Sequence, residues 1–184
     1  MSKIYTVTCF MLLFTVICCN KPDAILFEDK SSAMMADKST WTATADSETP
    51  DDWENTGKAS ALLDGQVTTY WHTDYSVSPS PDYPHWVLID MKSAQNLIAV
   101  AVTNRQAATP NKVGMKKFKL EGSTDGTNFT SLGEFDFAIT NEAQKFPVSA
   151  ASAWRYLKLT ALESQTGTTR HTFLSEIDVF TTKQ

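Results

Sequence analysis

Ala61-Leu62-Leu63-Asp64-Gly65-Gln66-Val67-Thr68-Thr69-Tyr70-Trp71-His72 is the stretch on which the reading of this chain turns. A short apolar run, Ala61 to Leu63, stops at an Asp-Gly pair. Asp-Gly marks a tight turn, because glycine reaches the positive φ that such turns demand. Thr69 and Trp71 then follow at fixed offsets, the pattern of a structured loop between two elements.

Outward from this loop, short strand-like runs recur with turn signals between them. Thr40-Trp41-Thr42-Ala43-Thr44-Ala45 precedes it, and Trp86-Val87-Leu88-Ile89-Asp90-Met91 reads as a buried strand. Further runs cover 97–103, 116–123, 129–137, 144–149, 154–162 and 174–180. Several alternate as half-buried strands do. Phe118 and Leu120 fall on one face of their run, with Lys117, Lys119 and Glu121 on the other; Leu157 and Leu159 point inward while Lys158 stays in water. Asp125-Gly126 marks a second tight hairpin. Pro79, Pro81 and Pro84 stiffen an irregular loop after Trp71. No long helix is expected; residues 55–63 have room for one turn before Asp64. The pattern predicts an all-β, jelly-roll β-sandwich.

Composition agrees. The 184 residues are 42% hydrophobic and include five Trp, five Tyr and ten Phe, enough for one packed domain plus a leader. The net charge of −5, with no basic block, argues against a nucleic-acid partner. Lys3 and the apolar run Ile4 to Ile17 have the form and length of a signal segment, short for a membrane span. All three cysteines, Cys9, Cys18 and Cys19, lie in or at the end of that segment. Val16-Ile17-Cys18-Cys19-Asn20 resembles the cleavage box of a bacterial lipoprotein, which implies acylation of Cys19 and a mature domain without a disulfide. A plain secretory signal with incidental cysteines is the alternative. The expected organisation is a leader over 1–19, a tether over 20–37 and a domain over 38–184.

The 61–72 loop, the strand at Trp86 and the closing run Leu174-Ser175-Glu176-Ile177-Asp178-Val179-Phe180 together resemble the discoidin or coagulation-factor type C domain. They are more similar still to its bacterial galactose-binding relatives, the carbohydrate-binding modules. The resemblance spans roughly Thr40 to Phe180. It implies a structural calcium ion held by the carboxylates of Asp64 and Glu176, the carbonyls of Ala61, Gln66 and Ser175, and the hydroxyl and carbonyl of Thr69. Calcium accepts such mixed oxygen donors. Here it would tie the last strand to an early loop in place of a disulfide. The residues alone also allow a plain turn at Asp64-Gly65 and a surface carboxylate at Glu176.

The resemblance further implies a sugar site built from His72, Tyr75, Arg105 and Asn111, with Phe173 or His171 entering from the loop before Glu176. A guanidinium fork and an imidazole suit the axial 4-hydroxyl of galactose, and an amide its neighbour. Tyr75 would cover the apolar sugar face where relatives often carry the larger Trp. Read singly, Arg105 is also compatible with a solvated loop charge and Phe173 with the core; Trp71 reads as core, and His85 as a structural hydrogen-bonder. No Gly-x-Ser-x-Gly elbow, phosphate loop or His-Glu-x-x-His occurs. The expectation is therefore a non-catalytic, calcium-stabilised lipoprotein at a bacterial outer membrane or cell surface, binding galactose- or GalNAc-type glycans. It would meet the membrane only through its lipid and serve glycan-degrading enzymes or transport proteins. A protein–protein adhesion module using the same loops is the alternative, and lipid-headgroup binding the third.

Overall fold

A computed structural model describes residues 33–50, 57–148 and 152–182. The leader, Cys19 and the first part of the expected tether, residues 20–32, lie outside the described residues. The strands are β1 (Ala33–Met35), β2 (Thr42–Ala45), β3 (Trp71–His72), β4 (His85–Gln95), β5 (Leu97–Thr103) and β6 (Met115–Ser123). They continue as β7 (Thr130–Asp136), β8 (Gln144–Pro147), β9 (Trp154–Ser164), β10 (Phe173–Leu174) and β11 (Glu176–Thr182). A five-stranded sheet runs β2-β4-β9-β6-β7, a four-stranded sheet β1-β11-β5-β8, and β10 pairs β3 as a ribbon. Every pairing of these strands is antiparallel. The all-β sandwich expected from the sequence is the fold observed.

Period-2 patterning fills the space between the sheets. Val87, Ile89 and Met91 of β4, Phe118 and Leu120 of β6, and Leu157, Leu159 and Ala161 of β9 are buried from one sheet. Val100 and Val102 of β5 and Ile177 and Val179 of β11 meet them from the other. Apart from the small Ala161, each such side chain contributes about 1.5–3 kcal/mol by leaving water. Phe118 centres an aromatic cluster, with Phe146 at 4.9 Å, Phe135 at 5.5 Å and Phe137 at 6.1 Å between ring centroids. At the β6–β7 hairpin the Asp125 carboxylate accepts from the N–H groups of Thr127 and Asn128, both at 2.8 Å, and Gly126 takes φ 74°. Those hydrogen bonds hold the Asp125 carboxyl well below its ordinary range.

The structure corrects the expected boundaries at several points. Residues 33–35, read as tether, form β1, which pairs β11 in the register Ala33↔Thr182 to Met35↔Phe180. Ala-Met-Met carries no alternation, so the ladder rather than a buried face holds it, and Met34 and Met35 stay exposed. The globular unit thus begins before Lys38. β2 starts at Thr42 rather than Thr40, β9 extends to Ser164, and the run read as 174–180 is divided by Ser175 into β10 and β11. The single expected turn before Asp64 is a 3-10 helix, Ala59–Leu63.

Candidate functional site

The β3–β10 ribbon organises everything around it. Leu174 lies opposite Trp71 and Phe173 opposite His72, which brings the early loop against the chain's closing segment. Trp71 is fully buried and its Nε1–H donates to the Ser47 carbonyl at 2.9 Å, the core role expected of it. The Thr49 N–H donates to the His72 carbonyl at 2.8 Å, and the His72 N–H to the Gly57 carbonyl at 3.2 Å. Thr73 N–H donates to the Thr172 carbonyl at 3.0 Å, carrying the pairing one step further. Two clusters of side chains flank this ribbon.

The first contains the expected cation ligands. The 3-10 helix delivers Ala61 and Leu62 to the turn, where Gly65 takes φ 76°. Asp64 folds back on the turn, its Oδ1 accepting from Gln66 N–H at 2.8 Å and its Oδ2 from the Thr69 hydroxyl at 2.7 Å. That hydroxyl also lies 2.8 Å from the Gln66 carbonyl. Glu176, delivered by Ser175 at the start of β11, is 3% exposed, and its Oε1 is buried without a hydrogen-bond partner. Burial pushes the Glu176 carboxyl up to about 7; Lys38 opposes that rise, while Asp64 and Asp178 add to it. The end of the 3-10 helix and the closing carboxylate are linked through Lys38, which contacts both the Leu62 carbonyl and Glu176. Among the described residues no group of three or more His, Cys, Asp or Glu is placed to hold a metal ion. A donor set of two carboxylates completed by carbonyls and a hydroxyl does not need one.

Lys38 was not among the residues singled out from the sequence. Its ammonium donates to Glu176 Oε2, to Asp178 Oδ1 at 2.6 Å and to the Ile177 carbonyl at 3.2 Å. It also stands 3.5 Å from the Leu62 carbonyl.

The second cluster is aromatic and basic. The His72 and Tyr75 ring centroids are 4.7 Å apart, and Phe173 meets His72 edge-on at 5.4 Å. His171 stands 6.0 Å from His72 and 6.1 Å from Tyr75. Tyr83 supports that loop by donating its hydroxyl to the His171 carbonyl at 3.2 Å, and burial pushes the phenol up to about 12. Arg105, just past the end of β5, lays its guanidinium 4.1 Å from the Tyr70 ring centroid and 5.7 Å from that of Phe173. No carboxylate among the described residues pairs with Arg105. A cation held over ring faces keeps its N–H fork for another partner.

Two of the expected residues also have structural contacts. Phe173 is 5% exposed and packs against His72 and Arg105, in keeping with its core reading. Asn111 shapes its own loop: its Oδ1 accepts from Val113 N–H at 3.0 Å, and its carbonyl from Asn104 Nδ2 at 3.4 Å. Tyr70 was missed, although alternation across Trp71 places Tyr70 and His72 on one face; their centroids are 6.3 Å apart. His85 is structural, as expected. Its Nε2–H donates to the Arg170 carbonyl at 2.7 Å, and its Nδ1 lies 2.9 Å from Asp46.

The F5/8 type C domain model matches residues 42–175, most of the chain. The chain belongs to that family. This F5/8 type C domain is 29% identical over 126 residues to a sialidase of Micromonospora viridifaciens, covering 67% of the chain and 18% of the relative. It is 29% identical over 144 residues to a galactose oxidase of Gibberella zeae, covering 78% and 20%. The chain thus spans about a fifth of the length of these curated relatives. Among solved structures it is similar to the Clostridium perfringens module CpGH89CBM32-5, in complex with GalNAc-β-1,3-galactose, at 26% identity and TM-score 0.68, covering 79% of this chain and 99% of that one. It is also similar to the C-terminal domain of a Bacteroides fragilis chitobiase, at 28% identity and TM-score 0.71, covering 82% and 100%. The fold is that of the family 32 carbohydrate-binding modules.

Proposed function

We propose that this domain is a non-catalytic module that holds terminal galactose- or GalNAc-type sugars, and that calcium stabilises it. The observation that carries the reading is Arg105 seated on Tyr70 and Phe173 beside the His72–Tyr75 pair. A galactoside offers an axial hydroxyl to a guanidinium and imidazole, and an apolar ring face to an aromatic side chain. The sugar-bound relative CpGH89CBM32-5 supports the same ligand class. In this reading Asn111 acts by shaping the loop beside Arg105, its amide reaching the neighbouring sugar hydroxyl.

The buried, unpartnered Glu176 Oε1 suits a divalent cation. Asp64, Glu176 and Thr69, with the carbonyls of Ala61, Gln66 and Ser175, are the residues that would hold it. When bound, calcium would supply a cross-link between the early turn and β11 and would neutralise two crowded carboxylates. The chain's own residues do the binding: Trp71 fixes the ribbon, Phe173 supports the floor, and Arg105 and His72 orient the hydroxyls.

Anchorage follows from Cys19. An exported lipoprotein at a bacterial outer membrane or cell surface would present this site to glycans for separate enzymes or transport proteins, touching the membrane only through its lipid. A single site of this size should bind weakly, with Kd on the order of 0.1–1 mM, and many copies on one surface would compensate through avidity. Isothermal titration with galactose and GalNAc in calcium tests the reading. Arg105→Ala and His72→Ala should each weaken binding about tenfold or more, the loss of one charge-assisted or comparable hydrogen bond. No heat with any galactoside from folded protein would sink it, and a protein ligand indifferent to both substitutions would favour an adhesion role.

A further inference from the structure

One ammonium touches the same two pieces of chain that the metal is read as joining. Lys38 Nζ reaches Leu62 of the 3-10 helix on one side and Glu176, Ile177 and Asp178 of β11 on the other. The contact is enclosed rather than superficial, because the side chains of Lys38, Glu176 and Asp178 are only 13%, 4% and 19% exposed. Glu176 consequently has one oxygen engaged by Lys38 and the other buried with no partner. The lysine enters from the segment before β2, so it is tethered outside both the turn and the closing strand.

Resting on the calcium reading above, we propose that Lys38 is a built-in cation that competes with calcium for Glu176 and so sets the affinity of the metal site. Without metal, the ammonium compensates the buried carboxylate and pins β11 to the helix. A divalent ion arriving at the same carboxylate meets a like charge in a poorly solvated place, where repulsion is screened least. It must either move the ammonium off Glu176 or bind against it. Both lower metal affinity, while the Lys38 pairing itself lets the domain stay folded when calcium is scarce. The two carboxylates on Lys38, Glu176 and Asp178, give the displaced ammonium a retreat: Asp178 can retain it while Glu176 turns to the metal.

The test uses the full chain, stripped of metal, titrated with calcium chloride and melted in EDTA or in saturating calcium. Lys38→Met keeps the apolar stem and removes the charge; Lys38→Arg keeps the charge. Lys38→Met should bind calcium about tenfold tighter or more than wild type. It should also melt lower in EDTA and show the larger rise on adding calcium, while Lys38→Arg stays near wild type. Equal or weaker calcium affinity in Lys38→Met overturns the proposal while leaving the calcium reading intact. Binding by Lys38→Met alone would support the proposal, with Lys38 fully replacing the metal, and would remove calcium from the wild-type reading. If folded wild type and variant both ignore calcium, both ideas fall. Should Lys38→Met not fold in EDTA, rescue by calcium counts for the proposal. Should it not fold at all, Lys38→Gln is measured in the same way, and failure of both variants to fold in saturating calcium counts against it.

Discussion

Asp90 shows how one residue's partners decide its chemistry. It lies on β4 opposite Tyr156 of β9, and Arg155 grips it with Nε at 2.9 Å and Nη2 at 3.0 Å. The Lys92 N–H donates to it as well, at 2.8 Å. These donors, Arg155 foremost, hold the Asp90 carboxyl well below the usual carboxylate range. Its folded value is depressed, so the stabilisation is present above the unfolded value of about 4 and is lost as pH falls through the folded one. Asp90→Asn should therefore melt lower at neutral pH and show a flatter acid limb below about pH 4 than wild type. The Arg155 side chain is 43% exposed, so the neutral-pH difference should be about 1 kcal/mol or less. Equal melting curves for variant and wild type from pH 7 to pH 2 would refute it. At this scale the sequence was informative where a residue's role is local or belongs to a recurrent loop: the Asp64 turn, Trp71 in the core and His85 as a bridge were all legible. Lys38 was not, because its partner Glu176 lies 138 positions away and no spacing ties the two.

The elements divide along the same line. β6 and β9 were readable from the alternation around Phe118 and Leu120 and around Leu157 and Leu159, and β4 from its apolar run Trp86 to Met91. β3 and β10 have two residues each, too few to show a period, and β1 has three with no alternation and no buried face. Those short strands exist because the sheets around them exist, a tertiary effect that local pattern cannot carry. Yet the β3–β10 ribbon matters most to the site, since it sets His72 beside Phe173 and leads directly into Glu176. Leu174, fully buried opposite Trp71, is its packing anchor. Leu174→Ala should cost about 2–5 kcal/mol in urea unfolding and should weaken sugar and calcium binding together. Loss of stability with both affinities untouched would show that the ribbon does not couple the two clusters.

Across the whole molecule, the sandwich and the family were legible from the 61–72 loop, the Trp86 strand and the closing run, because a fold that recurs keeps its loop geometry. The entry of the chain into the sheet was not, since residues 33–35 carry no signature of their own. Cys19 lies outside the described residues, and its acylation is tested directly: cells fed an alkynyl palmitate should label the wild-type chain and not Cys19→Ala. Equal labelling of the two would remove the lipid anchor from the proposal.

The β1–β11 pairing carries a geometric consequence. Ala33 stands beside Thr182, while Glu176 opens β11 at its other end. Seven residues of strand separate those points, about 20 Å at ordinary rise. Ala33 thus marks one end of β11, and the β3–β10 ribbon with His72 lies by the other, so a substitution at Ala33 leaves the aromatic cluster around Arg105 out of reach.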